Sequence, residues 1–173
     1  MKKVKYWLVW LSRIHRCWGF GIQSPTDYAF VRYVVNERWP YYAYSRFEEK
    51  DWLSLKLGQL YFRLANWRQP SWMLHDAYQN FWSSGCQTIH FTDTINNKVE
   101  LARVDIEDEN LLRQLMKHSD SHSVLVVEGI YRQWKRWKAL LQDTHVGTTF
   151  DLYYCGIIFF DISRYKHHYK INF

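Results

Sequence analysis

Val124-Leu125-Val126-Val127 is an unbroken apolar run between Ser123 and Glu128. A strand with one wet face alternates apolar and polar residues, so a run without alternation reads as a strand covered on both faces, inside a parallel sheet between two helical layers. The flanking segments keep that rhythm. Residues 110–117 and 132–142 carry apolar side chains at helical spacing. Further back, 71–74, 88–92 and 99–104 read as short strands, and 78–84 as a helix that Gly85 ends. Further on, 148–160 and 169–173 read as the last two strands. The link between them is too short for a crossover helix, so an antiparallel pair is expected. The sum is an α/β domain of three layers with a mostly parallel sheet of about six strands.

The first 69 residues read as helices. One covers 3–17, with Trp7, Trp10, Leu11 and Ile14 as its apolar stripe. Its basic, amphipathic character also suits a membrane surface; packing on the domain is the expectation. Ser24-Pro25-Thr26-Asp27 then starts a helix to about Arg38: Ser24 caps, Pro25 suits the first turn, and Asp27 reaches back to the cap. A third helix spans 48–67, with Leu53, Leu57, Leu60, Tyr61 and Leu64 as its stripe. These N-terminal helices, residues 1–69, are expected to pack on a core of residues 70–173 as one structural domain.

Composition narrows the function classes. The chain has 173 residues, 47% hydrophobic and 23% charged, the make-up of a single globular domain. Most of the many aromatic residues fall inside apolar-periodic segments, so they read as large core side chains ahead of an aromatic binding face. The net charge of +6 admits nucleic acid, an anionic membrane or an acidic partner, but the basic residues are spread along the chain, which counts against nucleic acid. Arg132-Gln133-Trp134-Lys135-Arg136-Trp137-Lys138 is the exception, since interleaved cations and tryptophans can grip phosphates and stack bases. On a helix, however, Trp134, Trp137 and Leu141 share one face, which reads first as an amphipathic cover for the sheet. No membrane partner is expected; a protein partner or a second copy of the chain remains open. Cys17, Cys86 and Cys155 lack metal-ligand spacing and read as reduced thiols of a cytoplasmic protein. The histidines form no metal set, and Ser119-Asp120-Ser121 reads as a turn separating His118 from His122.

A family resemblance enters at both ends of the chain. Gly21-Ile22-Gln23-Ser24-Pro25, a helix, and Tyr41-Tyr42-Ala43-Tyr44 resemble the front of a bacterial group of O-methyltransferases. Val126-Val127-Glu128-Gly129-Ile130-Tyr131, Phe150-Asp151-Leu152-Tyr153, Gly156-Ile157-Ile158-Phe159-Phe160 and His168-Tyr169-Lys170-Ile171-Asn172-Phe173 resemble its end. The resemblance implies the class I S-adenosylmethionine-dependent fold: a Rossmann-like methyltransferase sheet with an antiparallel C-terminal strand pair, here with an N-terminal helical extension.

The resemblance also implies where a cofactor would lie. That family holds it on an acid-x-Gly-x-x-x-Gly turn after the first strand, and the matching positions here are His75, Ala77 and Phe81. Asp93 matches the ribose-binding acid and Asp105 the acid near the adenine; both also read as turn formers or helix caps. His75, Asp76, Ala77, Asp93, Asp105 and Glu128 are therefore the candidate cofactor-binding residues, at the C-terminal ends of the strands. With all three motif positions changed, and the large Tyr78 and Phe81 expected to fill the space where the methyl donor needs bare backbone, the expectation is a non-catalytic methyltransferase-like protein with an interaction or regulatory role, S-adenosylmethionine not bound and no metal. An active O-methyltransferase with a remodelled pocket and a nucleic-acid-binding module are the alternatives.

Overall fold

The computed structural model describes residues 2–95 and 98–173, the side chains of Lys2, Lys3 and Lys5 excepted. In chain order its helices and strands are α1 Lys2–Ser12, α2 Pro25–Phe30, α3 Trp52–Arg68, β1 Trp72–Leu74, α4 Gln79–Gly85, β2 His90–Thr92, β3 Val99–Asp105, α5 Glu109–His118, β4 Ser119–Glu128, α6 Trp134–Gln142, β5 Thr149–Asp151, β6 Cys155–Phe159 and β7 His168–Lys170. The architecture is α/β. Five strands form a mixed sheet in the order β3-β4-β6-β5-β7, and β1 and β2 form a parallel pair. β1 lies beside β3, where the Ser71 amide donates to the Glu100 carboxylate at 2.9 Å.

The reading of 124–127 holds. On one face Leu101, Val124, Val126, Phe150 and Ile157 bury against α2, α3 and α4. On the other, Ala102, Val104, Leu125, Val127 and Ile158 bury against α5 and α6. Helices on both faces force the central strand to be apolar throughout.

Two strand expectations need correction. The sequence predicts one strand over 148–160, but the chain reverses at Leu152-Tyr153-Tyr154. Tyr153 is left-handed, φ 72°, and Asp151 accepts its amide at 2.8 Å. No glycine marks this turn, because an aromatic residue takes a conformation that usually falls to Gly or Asn. β5 and β6 are therefore an antiparallel hairpin, with β6 slotted between β4 and β5. The last strand is not the antiparallel partner. Residues 160–167 carry the chain from β6 past β5, so β7 opposes β6 in direction yet pairs in parallel with β5. In the five-stranded sheet, β6 alone runs against the others.

β4 also begins earlier than its apolar run. Its pairing with β3 jumps from Val99↔Ser119 to Leu101↔Val124. The surplus residues form a bulge held by Asp120, which accepts the His122 amide at 2.9 Å, and by the Ser123 hydroxyl, which donates to the Val99 carbonyl. The predicted turn at Ser119-Asp120-Ser121 is thus an excursion inside a strand. The same shift sends Val99 and Leu101 to opposite faces although they are two residues apart.

In the N-terminal helices, α1 ends at Ser12 and a 3-10 segment, Ile14–Gly19, follows. Its packing face differs from the expected stripe. Tyr6 and Val9 pack against the core, and Arg13 donates to the Asp151 carboxylate at 2.9 Å. Trp7 and Ile14 point outward, 62% and 50% exposed. The winning face carries fewer apolar groups, but its Arg13 pairs with a carboxylate that is otherwise buried. α2 is capped by Ser24 as expected, while Asp27 accepts from Arg164 at 2.9 Å and from the Tyr169 hydroxyl at 3.2 Å in place of reaching back to the cap. A π turn at Val31–Val35 ends it before Arg38. α3 and α4 approach closely through two glycines: a Cβ on Gly58 would stand 2.4 Å from the Phe81 ring, and one on Gly85 would stand 2.2 Å from the Phe62 carbonyl oxygen. Gly85 is therefore a close-contact residue within α4, not a left-handed cap after it.

Candidate functional site

The C-terminal ends of β1, β2 and β3 open onto a cavity of about 400 Å³. His75, Asp76 and Ala77 enter it from the β1–α4 loop, Asp93 from the end of β2, and Asp105 from the end of β3. The structure thus brings together these five sequence-predicted residues. Glu128, at the end of β4, does not line the cavity; it reaches the wall through Arg103, whose Nε donates to it at 2.6 Å.

Arg103 organises the floor. Its Nη1 stands 3.9 Å from Asp76 Oδ2, and the Tyr78 ring covers its guanidinium at 4.9 Å. Glu128 also accepts from the Tyr61 hydroxyl at 2.8 Å. Asp76 accepts from Trp82 Nε1 at 3.1 and 3.0 Å and from the Tyr78 amide at 2.7 Å. The result is a continuous chain, Tyr61–Glu128–Arg103–Asp76–Trp82, between α3, the strand ends and α4. Burial opposes charge on Arg103, but the anionic groups around it prevail and hold its pKa above the ordinary value. Burial raises the Asp76 pKa despite the hydrogen bonds it accepts. Burial and Glu128 push the Tyr78 phenol up to about 12.

Asp105 belongs to a second, wetter cluster. Burial works to raise its pKa, but Arg132 and the Glu107 amide, which donate to it, bring the net shift below the usual carboxylate value. Asp108 accepts the Leu111 amide at 3.0 Å and caps α5. Asp93 is exposed, and His75 Nδ1 bonds the Gln79 side chain at 2.8 Å.

Phe81, at the matched second glycine, does not fill the cavity. Its ring turns into the core, 4.0 Å from that of Phe47, in the space Gly58 leaves. Tyr78 likewise lies beneath the floor, edge-on to Tyr61 at 4.8 Å. Sequence reasoning missed Arg103 and Trp82 as site residues. The available signal was Arg103 itself, a cation inside the apolar strand Leu101-Ala102-Arg103-Val104, where it must find buried partners.

The basic helix α6 is an amphipathic cover. Trp137 is fully buried, Arg132 pairs with Asp105 and Glu107, and Arg136 pairs with Glu109. Among the described residues no group of His, Cys, Asp and Glu is placed to hold a metal, and no helix is long and apolar enough to cross a membrane. The chain matches no family model, no curated protein and no solved structure.

Proposed function

We propose that this chain is a methyltransferase-like domain of the class I S-adenosylmethionine-dependent kind that has lost catalysis and keeps an interaction or regulatory role. A mixed five-stranded sheet layered between helices, with four strands in one direction, and a parallel pair beside it that brings the candidate residues to the ends of β1–β3, supports the kinship. One observation carries the loss of catalysis: two carboxylates of the cavity, Asp76 and Asp105, the latter matched to the adenine position, are already bonded by the chain. Asp76 is taken by Trp82 and the Tyr78 amide, and Asp105 by Arg132 and the Glu107 amide. Freeing either would leave a partly buried donor unpaired, a cost of roughly 1–3 kcal/mol that the ligand must offset.

The cavity itself favours a second reading. It joins exposed Asp93 and His75 to a polar floor, as an active O-methyltransferase with a remodelled pocket requires. Calorimetric titration with S-adenosylmethionine and S-adenosylhomocysteine separates the two. The non-catalytic reading expects no saturable heat. Micromolar heat that disappears in Asp93→Ala would rule out the inert reading.

A further inference from the structure

At the C-terminal ends of β5 and β7, α1, α3, the β5–β6 turn and Phe173 line another, open cavity, of about 600 Å³. Its walls include Tyr6, Trp7 and Trp10 of α1, Trp52 of α3, Tyr154 and Phe173. A volume in the range of roughly 300–1,000 Å³ with mostly apolar walls and few polar groups is what small-molecule sites present.

One polar group in this cavity lacks a counter-ion of the chain's own. Lys56 is the charged residue among its lining. Its ammonium stands 4.9 Å from the Trp52 ring centre and 4.6 Å from that of Phe173, and no carboxylate among the described residues pairs with it. Burial first, then nearby Arg63 and Arg38, draw its pKa down to about 8, so at neutral pH it still carries its charge in an apolar surround. Tyr154 contributes its ring, while its hydroxyl is turned away from solvent. A half-buried ammonium without a counter-ion points to a missing partner that is anionic.

We propose that this cavity binds an anionic amphiphile: a free monocarboxylate whose head is held by Lys56 Nζ, and whose long apolar tail lies on the rings of Tyr6, Trp10 and Trp52. The site shares no lining residue with the cavity at the ends of β1–β3 and does not depend on the methyltransferase reading.

The test follows tryptophan emission of the whole chain during titration with dodecanoate, dodecanol and dodecyltrimethylammonium, each below self-association. The same tail with three heads isolates the charge. Dodecanoate should saturate one site in the micromolar range, the alcohol should bind at least about tenfold more weakly, and the cation should not saturate. Lys56→Met should weaken dodecanoate at least about tenfold and leave dodecanol unchanged, and Lys56→Arg should retain most of the affinity. Three heads binding alike, no saturation by dodecanoate, or full dodecanoate affinity in Lys56→Met would each overturn the proposal. Sedimentation with phosphatidylglycerol vesicles forms the second arm. Vesicle binding that neither Lys56→Met nor dodecanoate alters would assign this region to a membrane surface through the outer face of α1, and would likewise overturn it.

Discussion

Arg103 donates from Nε to Glu128 Oε2 at 2.6 Å, and the two side chains are equally secluded, each 16% exposed. A pair this dry is held by necessity more than by gain. Removing one partner strands the other charge in a medium that solvates it poorly. Arg103→Met should therefore cost about 3–5 kcal/mol in urea unfolding. Adding Glu128→Gln should restore part of that loss, because a neutral amide no longer needs the guanidinium. Equal stability of Arg103→Met and wild type would show that water reaches the network freely.

Gly58 faces the Phe81 ring so closely that a methyl group has nowhere to go. Alanine is the better helix former by about 1 kcal/mol, so propensity alone predicts that Gly58→Ala stabilises. Overpacking of a core costs typically 1–3 kcal/mol and should win here. Gly58→Ala is expected to lower the melting temperature, and Gly58→Ala combined with Phe81→Leu to recover much of it. A melting temperature raised by Gly58→Ala alone would refute the close contact.

Lys56 sets up a pH dependence of the opposite kind to an ordinary ion pair. Its native pKa, about 8, lies below the 10.5 of a free lysine. Between those values the unfolded chain binds the extra proton, so stability rises with pH, and the cost of the buried charge is fully present below about pH 8. Stacking on Trp52 and Phe173 returns some of that cost. Lys56→Met should then be more stable than wild type by about 2 kcal/mol at pH 7, with the gap closing toward pH 10.5. Denaturant midpoints across that range check the sign.

Asp105 behaves conventionally. Its native pKa is depressed, so its contribution is present at neutral pH and is lost as pH falls through the carboxylate range and below. The Asp105 and Arg132 side chains are 35% and 36% exposed, so the pair is solvent-screened. Asp105→Asn should cost no more than about 1 kcal/mol at pH 7, and should flatten the acid limb of the stability profile below about pH 4.

How much of this was legible in the sequence follows from what each residue depends on. The layered sheet could be read from Val124–Val127, because burial on both faces is written locally as missing alternation. The gathering of His75, Asp76, Ala77, Asp93 and Asp105 was expected from the family resemblance, which matched them to positions at the C-terminal ends of the strands. The β5–β6 hairpin was hidden, since Tyr153 takes a backbone shape that its residue type does not advertise. The orientation of α1 was also hidden. Which of two half-apolar faces turns inward was decided by Asp151, a residue far along the chain that needed Arg13. Phe81 looked like an obstruction to a ligand because sequence shows its size and not the hollow that Gly58 prepares for it.

The lone reversed strand, β6, has a consequence for the order in which the molecule can be made. α2 and α3 leave the ribosome early, yet they rest in part on Phe150, Ile157 and Ile171, which are made long after them. Until Cys155–Phe159 slides in beside β4, the early helices have only part of their floor and their greasy sides stay open to chaperones and to neighbouring nascent chains. Folding of this layer must therefore wait for β6, and a chain stalled before residue 155 should remain an easy target for proteases.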